Sequence, residues 1–234
     1  METAARQKTI LLIGASRGLG FAMVEEYLRR AWHVIATGRA ESTSQLKRIA
    51  ASSANALDVE TVDITDPRQV ADLRNRLSER ALDVLFVNAG VTNDHRETIA
   101  DVSTDEFIRV MVTNSLSPMR TIETLQHLVR PTGTIGIMSS GQGSLTNNTN
   151  GNHEVYRGSK AALNMFMRSF AARHKDDPRT LLLMAPGWVK TDMGGPDARL
   201  TIDESIPNLV DTVAAHAGLG GLHYLDYLGR TVPW

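Results

Sequence analysis

The chain has 234 residues, 42% of them hydrophobic, with 25 Lys and Arg against 26 Asp and Glu, a net charge of -1 and no cysteine. That length and apolar content suit one sizeable core. The even charge balance offers no basic field for phosphate backbones, the missing thiols exclude disulfides and thiolate metal sites, and no His, Asp or Glu cluster has metal-ligand spacing, so neither nucleic acid nor a metal is expected.

The polar start, Met1 to Lys8, runs into an apolar stretch too short for a secretion signal or a membrane span, so a soluble cytoplasmic protein with no membrane partner is expected. From there, short apolar or β-branched runs alternate with amphipathic stretches. The strand at Thr9 to Ile13 precedes a helix at Gly18 to Arg30, and the strand at His33 to Thr37 precedes one at Ser42 to Ala51. The strand at Ala56 to Val62 leads to a helix at Pro67 to Arg80, and Val84 to Val87 to a long helix at Thr104 to Val129. The remainder reads as a strand at Thr134 to Ser139, a helix at Tyr156 to Lys175, a strand at Thr180 to Ala185, a helix at Ile202 to Ala215 and a strand at Leu222 to Leu225. Ser103 with Glu106 is a capping-box signal, Pro67 fits a first helical position, and Pro118 predicts a kink or break in the long helix. Because most strands lack strict alternation, both sheet faces should be covered. The predicted fold is α/β: one Rossmann-type doubly wound domain over residues 1–234, with a seven-stranded parallel sheet flanked by helices on both faces. Gly141 to Glu154 is the one long polar loop, and loops of that length tend to be functional.

Directly after the first strand, Gly14-Ala15-Ser16-Arg17-Gly18-Leu19-Gly20 opens a helix. Gly14 suits a tight turn, Gly18 a close backbone approach to a pyrophosphate and Gly20 close packing of helix on strand, while the helix N-terminus favours negative charge. The spacing is Gly-x3-Gly-x-Gly rather than Gly-x-Gly-x2-Gly. Where NAD sites carry an acid at the end of the second strand, this chain has Thr37-Gly38-Arg39. Arg39 and Arg17 are suited to grip a ribose 2′-phosphate, so NADP(H) is the expected cofactor; the alternative is that both are solvated surface charges.

Tyr156 and Lys160 stand four apart on one predicted helix and so share a face. A tyrosine ionises near pH ~10, so acid-base work at neutrality needs a shift of ~3 units, or ~4 kcal/mol. One ammonium at ~4 Å with an effective dielectric of ~20 supplies about that much. The pair is therefore a candidate acid and its activator.

Together these features resemble the short-chain dehydrogenase/reductase superfamily across essentially the whole chain. Gly14 to Gly20 matches its cofactor loop, Asp63-Ile64 its adenine contact after strand three, Asn88-Ala89-Gly90 the turn after strand four, and Pro186-Gly187 the turn after strand six. Asn114, Ser140, Tyr156 and Lys160 match its catalytic tetrad. The chain departs from the usual pattern at Ile13, where threonine is common, and at Val87, where asparagine is. The run from Pro186 through Gly195 and the ending from Leu225-Asp226-Tyr227 to Trp234 are similar to the C-factor and sniffer-like carbonyl reductase branch.

The resemblance implies an NADPH-dependent reductase of aldehydes or ketones. Tyr156 would be the acid, Lys160 would bind the nicotinamide ribose, Ser140 would donate to the substrate oxygen, and Asn114 would hold a water linking Lys160 to solvent; Ser139 rivals Ser140, and a helix-capping role rivals that of Asn114. Asn88 is equally readable as a cofactor contact or plain loop. Thr191 and the Val189 backbone are expected at the nicotinamide carboxamide. Trp188 and Met193 are candidates to line the substrate mouth, and His153 is either there or merely solvated. The remaining readings are an alcohol-oxidising dehydrogenase and a dinucleotide-binding sensor with little turnover. A C2 dimer formed through the long helices is the expected assembly.

Overall fold

Strand residues of opposite parity face opposite layers, which is why the apolar runs do not alternate. The computed structural model describes residues 6–234, so the first five residues of the polar N-terminus lie outside it. The strands are β1 Thr9–Ile13, β2 His33–Gly38, β3 Leu57–Thr61, β4 Leu82–Val87, β5 Val129–Met138, β6 Thr180–Ala185 and β7 Leu222–Asp226. They form a sheet in the order β3-β2-β1-β4-β5-β6-β7 in which every pairing is parallel. The helices are α1 Gly18–Arg29, α2 Ser44–Ala50, α3 Pro67–Arg76, α4 Thr104–Met111, α5 Ser117–Leu125, α6 Glu154–Arg173 and α7 Ile202–Ala215.

On one face Leu11, Ile13, Leu85, Val87 and Ile137 pack with Leu73 of α3, Ile122 of α5 and Met167 and Phe170 of α6. On the other, Ile10, Leu12, Val34, Phe86 and Met184 pack with Met23 and Tyr27 of α1, Leu46 of α2 and Leu209 of α7. The doubly wound sheet expected from the sequence is therefore what the chain forms. Strand order reverses at β1, which has β2 on one side and β4 on the other, and a crevice opens at such a reversal. The glycine loop leaves β1 at that point.

The predicted helix from Thr104 to Val129 is not continuous. It passes from α4 through a π-helical turn at Val112–Leu116 into α5, and Val129 already belongs to β5, which starts five residues before the predicted Thr134. Pro118 has no N–H for the carbonyl four residues back, that of Asn114, and its ring crowds that carbonyl, so the ladder widens there. α3 stops at Arg76 rather than Arg80, and α6 starts two residues before Tyr156. Among the described residues no helix is long and apolar enough to cross a membrane.

Candidate active site

The glycine loop is built by steric constraint. Gly14 has φ +83°, and a Cβ there would lie 2.7 Å from Ala89. A Cβ on Gly20 would lie 2.2 Å from the Gly14 carbonyl oxygen and 2.5 Å from Asn88 Nδ2, so only glycine lets α1 start this close to the strand. The Asn88 amide donates to the Gly14 carbonyl at 2.7 Å. Its side chain thus braces the loop. Ile13 cannot supply the hydrogen bond of a threonine, and the brace comes instead from Thr37 at the end of β2. Its hydroxyl accepts from Gly14 N at 3.1 Å and its carbonyl accepts from Ala15 N at 2.7 Å. The absence of threonine at position 13 was the sequence signal that another donor or acceptor had to brace the loop. Leu19 packs on the core, leaving its backbone for any ligand.

Gly38, the residue before Arg39, packs against Ser16, the residue before Arg17, since a Cβ on Gly38 would lie 3.1 Å from Ser16 Cβ. Both arginines are exposed. Arg17 lies 3.4 Å from Asp192, with side-chain exposures of 75% and 88%, and Arg39 lies 3.1 Å from Glu41, at 62% and 66%. Ion pairs this exposed are worth ~0–1 kcal/mol, so either guanidinium can leave its partner for a phosphate. Asp63 accepts from Thr65 N at 2.8 Å and from the Thr65 hydroxyl at 2.7 Å, and Ile64 is buried, so Ile64 has only its backbone to offer an adenine.

At the far end of the crevice Ser140, Tyr156, Lys160 and Asn114 converge. Lys160 is buried and donates to the Met138 carbonyl at 2.9 Å, with its ammonium 5.8 Å from the Tyr156 ring centre. Loss of solvent lowers its pKa to about 8. A Cβ on Gly90 would sit 3.4 Å from Lys160 Nζ and 3.3 Å from Asn114 Oδ1, so small residues after β4 make room for both. Asn114 lies inside the π-helical turn and caps nothing. Its Nδ2 donates to the Val91 carbonyl at 2.8 Å and to Ser159 Oγ at 2.9 Å, and its Oδ1 accepts from Val91 N at 2.8 Å. Both amide protons are taken, which leaves one lone pair of Oδ1 for a water.

Ser139 and Ser140 separate cleanly. The Ser139 hydroxyl donates to Asn164 Oδ1 at 2.6 Å, whereas the Ser140 hydroxyl accepts from Gln142 N at 3.1 Å and neighbours the Tyr156 phenol. The protein's own groups do not lower the Tyr156 phenol as the helical spacing suggested. Burial pushes it up, the neighbouring Ser140 hydroxyl opposes that rise, and Tyr224 adds to it. The ammonium is turned toward Met138, so further positive charge is needed to bring the phenol toward neutrality.

The segment after β6 folds back over the glycine loop. The Pro186 carbonyl accepts from Ser205 Oγ at 2.7 Å, and Gly187 has φ +86°. Val189 is buried and pairs with Leu200, while the Thr191 hydroxyl donates to the Val189 carbonyl at 3.3 Å and accepts from Gly194 N at 3.0 Å. Thr191 Cγ2 stands 4.0 Å from a Cβ built on Gly18, which brings this segment onto the loop. Trp188 and Met193 are half exposed beside it. His153 precedes α6 with φ +57° and its ring lies 5.4 Å from His95; burial, His95 and Arg157 lower its pKa. Among the described residues no group of three His, Asp or Glu could hold a metal.

The short chain dehydrogenase family profile matches residues 8–199. C-signal of Myxococcus xanthus is 36% identical over 158 residues, covering 65% of this chain and 93% of that protein. A Burkholderia multivorans protein described as a short-chain dehydrogenase/reductase and crystallised with bound NADP superposes with a TM-score of 0.96 at 57% identity, covering 98% of this chain and 100% of that one. A carbonyl reductase of Pseudomonas aeruginosa PAO1 in complex with NADP superposes with a TM-score of 0.90 at 32% identity, again over 98% and 100%.

Proposed function

The chain belongs to the short-chain dehydrogenase/reductase superfamily, of the C-factor and sniffer-like type, and from that footing we propose that it is an NADPH-dependent cytoplasmic reductase of an aldehyde or ketone. The observation that carries this reading is the convergence of Ser140, Tyr156 and Lys160 beside a glycine loop that no Cβ could enter at Gly20. When bound, NADPH supplies the hydride. Gly14, Ser16, Arg17, Gly18, Leu19 and Gly20 would hold its pyrophosphate and Arg17 with Arg39 its 2′-phosphate. Asp63 and Ile64 would meet the adenine, Asn88, Ala89 and Gly90 the ribose side, and Pro186, Gly187, Val189 and Thr191 the nicotinamide end.

The Ser140 hydroxyl accepts from Gln142 N, so its own proton is free to be donated to a substrate carbonyl oxygen. Tyr156 stands beside it and gives that oxygen its proton. Lys160 holds positive charge beneath the phenol and can turn its donors toward ribose hydroxyls. Asn114 fixes the turn after β4 against α6 and keeps room for a water near Lys160.

A panel of aldehydes and ketones assayed with NADPH tests the reading, with measured NADPH binding alongside. Turnover of at least one carbonyl is expected. Tight NADPH binding with no turnover would select a second reading, a dinucleotide-binding signalling protein, which the likeness to C-signal favours. As assembly we infer a C2 dimer, supported by the exposed Phe107 and Ile108 of α4, Leu116, and Met165 and Phe166 of α6, an apolar set on the long helices. A Phe166→Glu variant should sediment as a monomer where the parent sediments as a dimer; a monomeric parent would reject the inference.

A further inference from the structure

β7 brings a second phenol to the site. Tyr224 is buried, and its hydroxyl donates to the Ser140 carbonyl at 2.5 Å from the far edge of the sheet. Burial holds this phenol above its ordinary pKa, so it stays a donor at neutral pH, and its oxygen neighbours the Ser139 and Asn164 side chains. The Ser140 carbonyl also accepts from Gly143 N at 2.9 Å, so both of its lone pairs are engaged. Asn164 of α6 ties down the same turn, accepting from Ser139 and donating to the Gly143 carbonyl at 3.2 Å. Behind Tyr224 stands Trp234, its ring centre 5.3 Å away, with the Arg168 guanidinium 4.7 Å from the Trp234 ring. The Trp234 main-chain oxygen accepts from Ser144 Oγ at 3.2 Å and from Thr146 N and Oγ1 at 3.1 and 2.9 Å.

These contacts converge on the peptide that carries Ser140. A serine Oγ is placed by its backbone and its χ1 well while the hydroxyl proton swings about the Cβ–Oγ bond, so what it offers to a substrate depends on its backbone and on what fills its lone pairs. Here Gln142 N fills one of them, and that bond lasts only while the 140–143 turn keeps its shape. We propose that Tyr224 is a positioning residue for Ser140: its hydroxyl fixes the Ser140 peptide, and with it the direction in which Ser140 donates, while Trp234 backs the phenol and holds the following loop. The inference rests on the reductase reading for its kinetic consequence alone.

Tyr224→Phe keeps the ring and removes the donor. The variant should lose about tenfold in kcat with the best carbonyl of the panel while NADPH affinity stays within about twofold, since a hydrogen bond of this kind acts on Ser140 and not on the dinucleotide. In a Ser140→Ala background the same change should cost nothing further. Independently of turnover, amides of residues 140–146 should exchange about tenfold faster with deuterated water, with β6 unchanged. Unchanged exchange in that segment overturns the proposal, as does a full tenfold loss persisting on top of Ser140→Ala. If the parent reduces no carbonyl, the reductase reading fails and the exchange measurement alone decides for or against the positioning role. Should Tyr224→Phe not fold, Trp234→Ala carries the same readouts with the hydroxyl still present but unbacked.

Discussion

The two ends of the crevice are made differently. At the glycine loop, the proposed cofactor site rests on backbone shape: φ of +83° at Gly14, no room for a Cβ at Gly20, and two arginines held only by exposed partners. At the Tyr156 end the proposed catalytic groups are braced by other elements: the buried Lys160 by β5, the buried Asn114 by the turn after β4, and the Ser140 main-chain carbonyl by β7. The first end can be loosely charged because phosphates bring their own charge. The second must set protonation states, and burial does that work by lowering Lys160 to about 8 and raising Tyr156.

If the ends are independent, a change at one should move catalysis and a change at the other cofactor binding. The largest effect is expected for Tyr156→Phe, a loss of ~10²–10⁴ in kcat with unchanged NADPH affinity by fluorescence titration. A variant keeping most of its rate would remove Tyr156 from the acid role. Arg39→Ala should raise KM for NADPH about tenfold or more while leaving that for NADH and kcat nearly alone, because a charge-assisted bond to the 2′-phosphate is worth ~1.5–3 kcal/mol. Equal changes for the two dinucleotides would show that Arg39 is only solvated.

Gly20→Ala should break the glycine end without touching protonation. Relieving a 2.2 Å approach to the Gly14 carbonyl requires α1 to shift, at a cost of ~1–3 kcal/mol read as a lower melting temperature and weaker NADPH binding. The smallest effect concerns pH. If the Lys160 ammonium is needed, kcat/KM should fall above about pH 8, and a profile flat to pH 10 would contradict that. Stability should move the opposite way. The folded pKa of Lys160 lies below its unfolded value of ~10.4, so the unfolded chain holds the extra proton between these values. Stability therefore rises with pH across that window, by up to ~3 kcal/mol, and Lys160→Met should abolish the rise.

Much of the site could be read along the chain. The glycines, the Tyr156-Lys160 spacing and the seven strands are local patterns, and apart from the early start of β5 each lies close to where its period or its steric demand put it. The long helix was half legible: Pro118 announced a disturbance, but a π-helical turn centred on Asn114 depends on what α6 offers, through Ser159 to the Asn114 amide. The choice between Ser139 and Ser140 was not local either, since both follow β5 and only the packing of that segment against α6, where Asn164 takes the Ser139 hydroxyl, says which one neighbours Tyr156.

By itself the sequence determined the doubly wound sheet, the place of the phosphate loop and the roster of reactive side chains, because periodicity, glycine freedom and residue chemistry are properties of short stretches. Tertiary structure decided the direction of the Tyr156 shift, the partner that replaces the missing threonine, and the reach of Tyr224 from β7 to Ser140. Those depend on burial and on contacts between residues 23 to 84 positions apart, which no local pattern encodes.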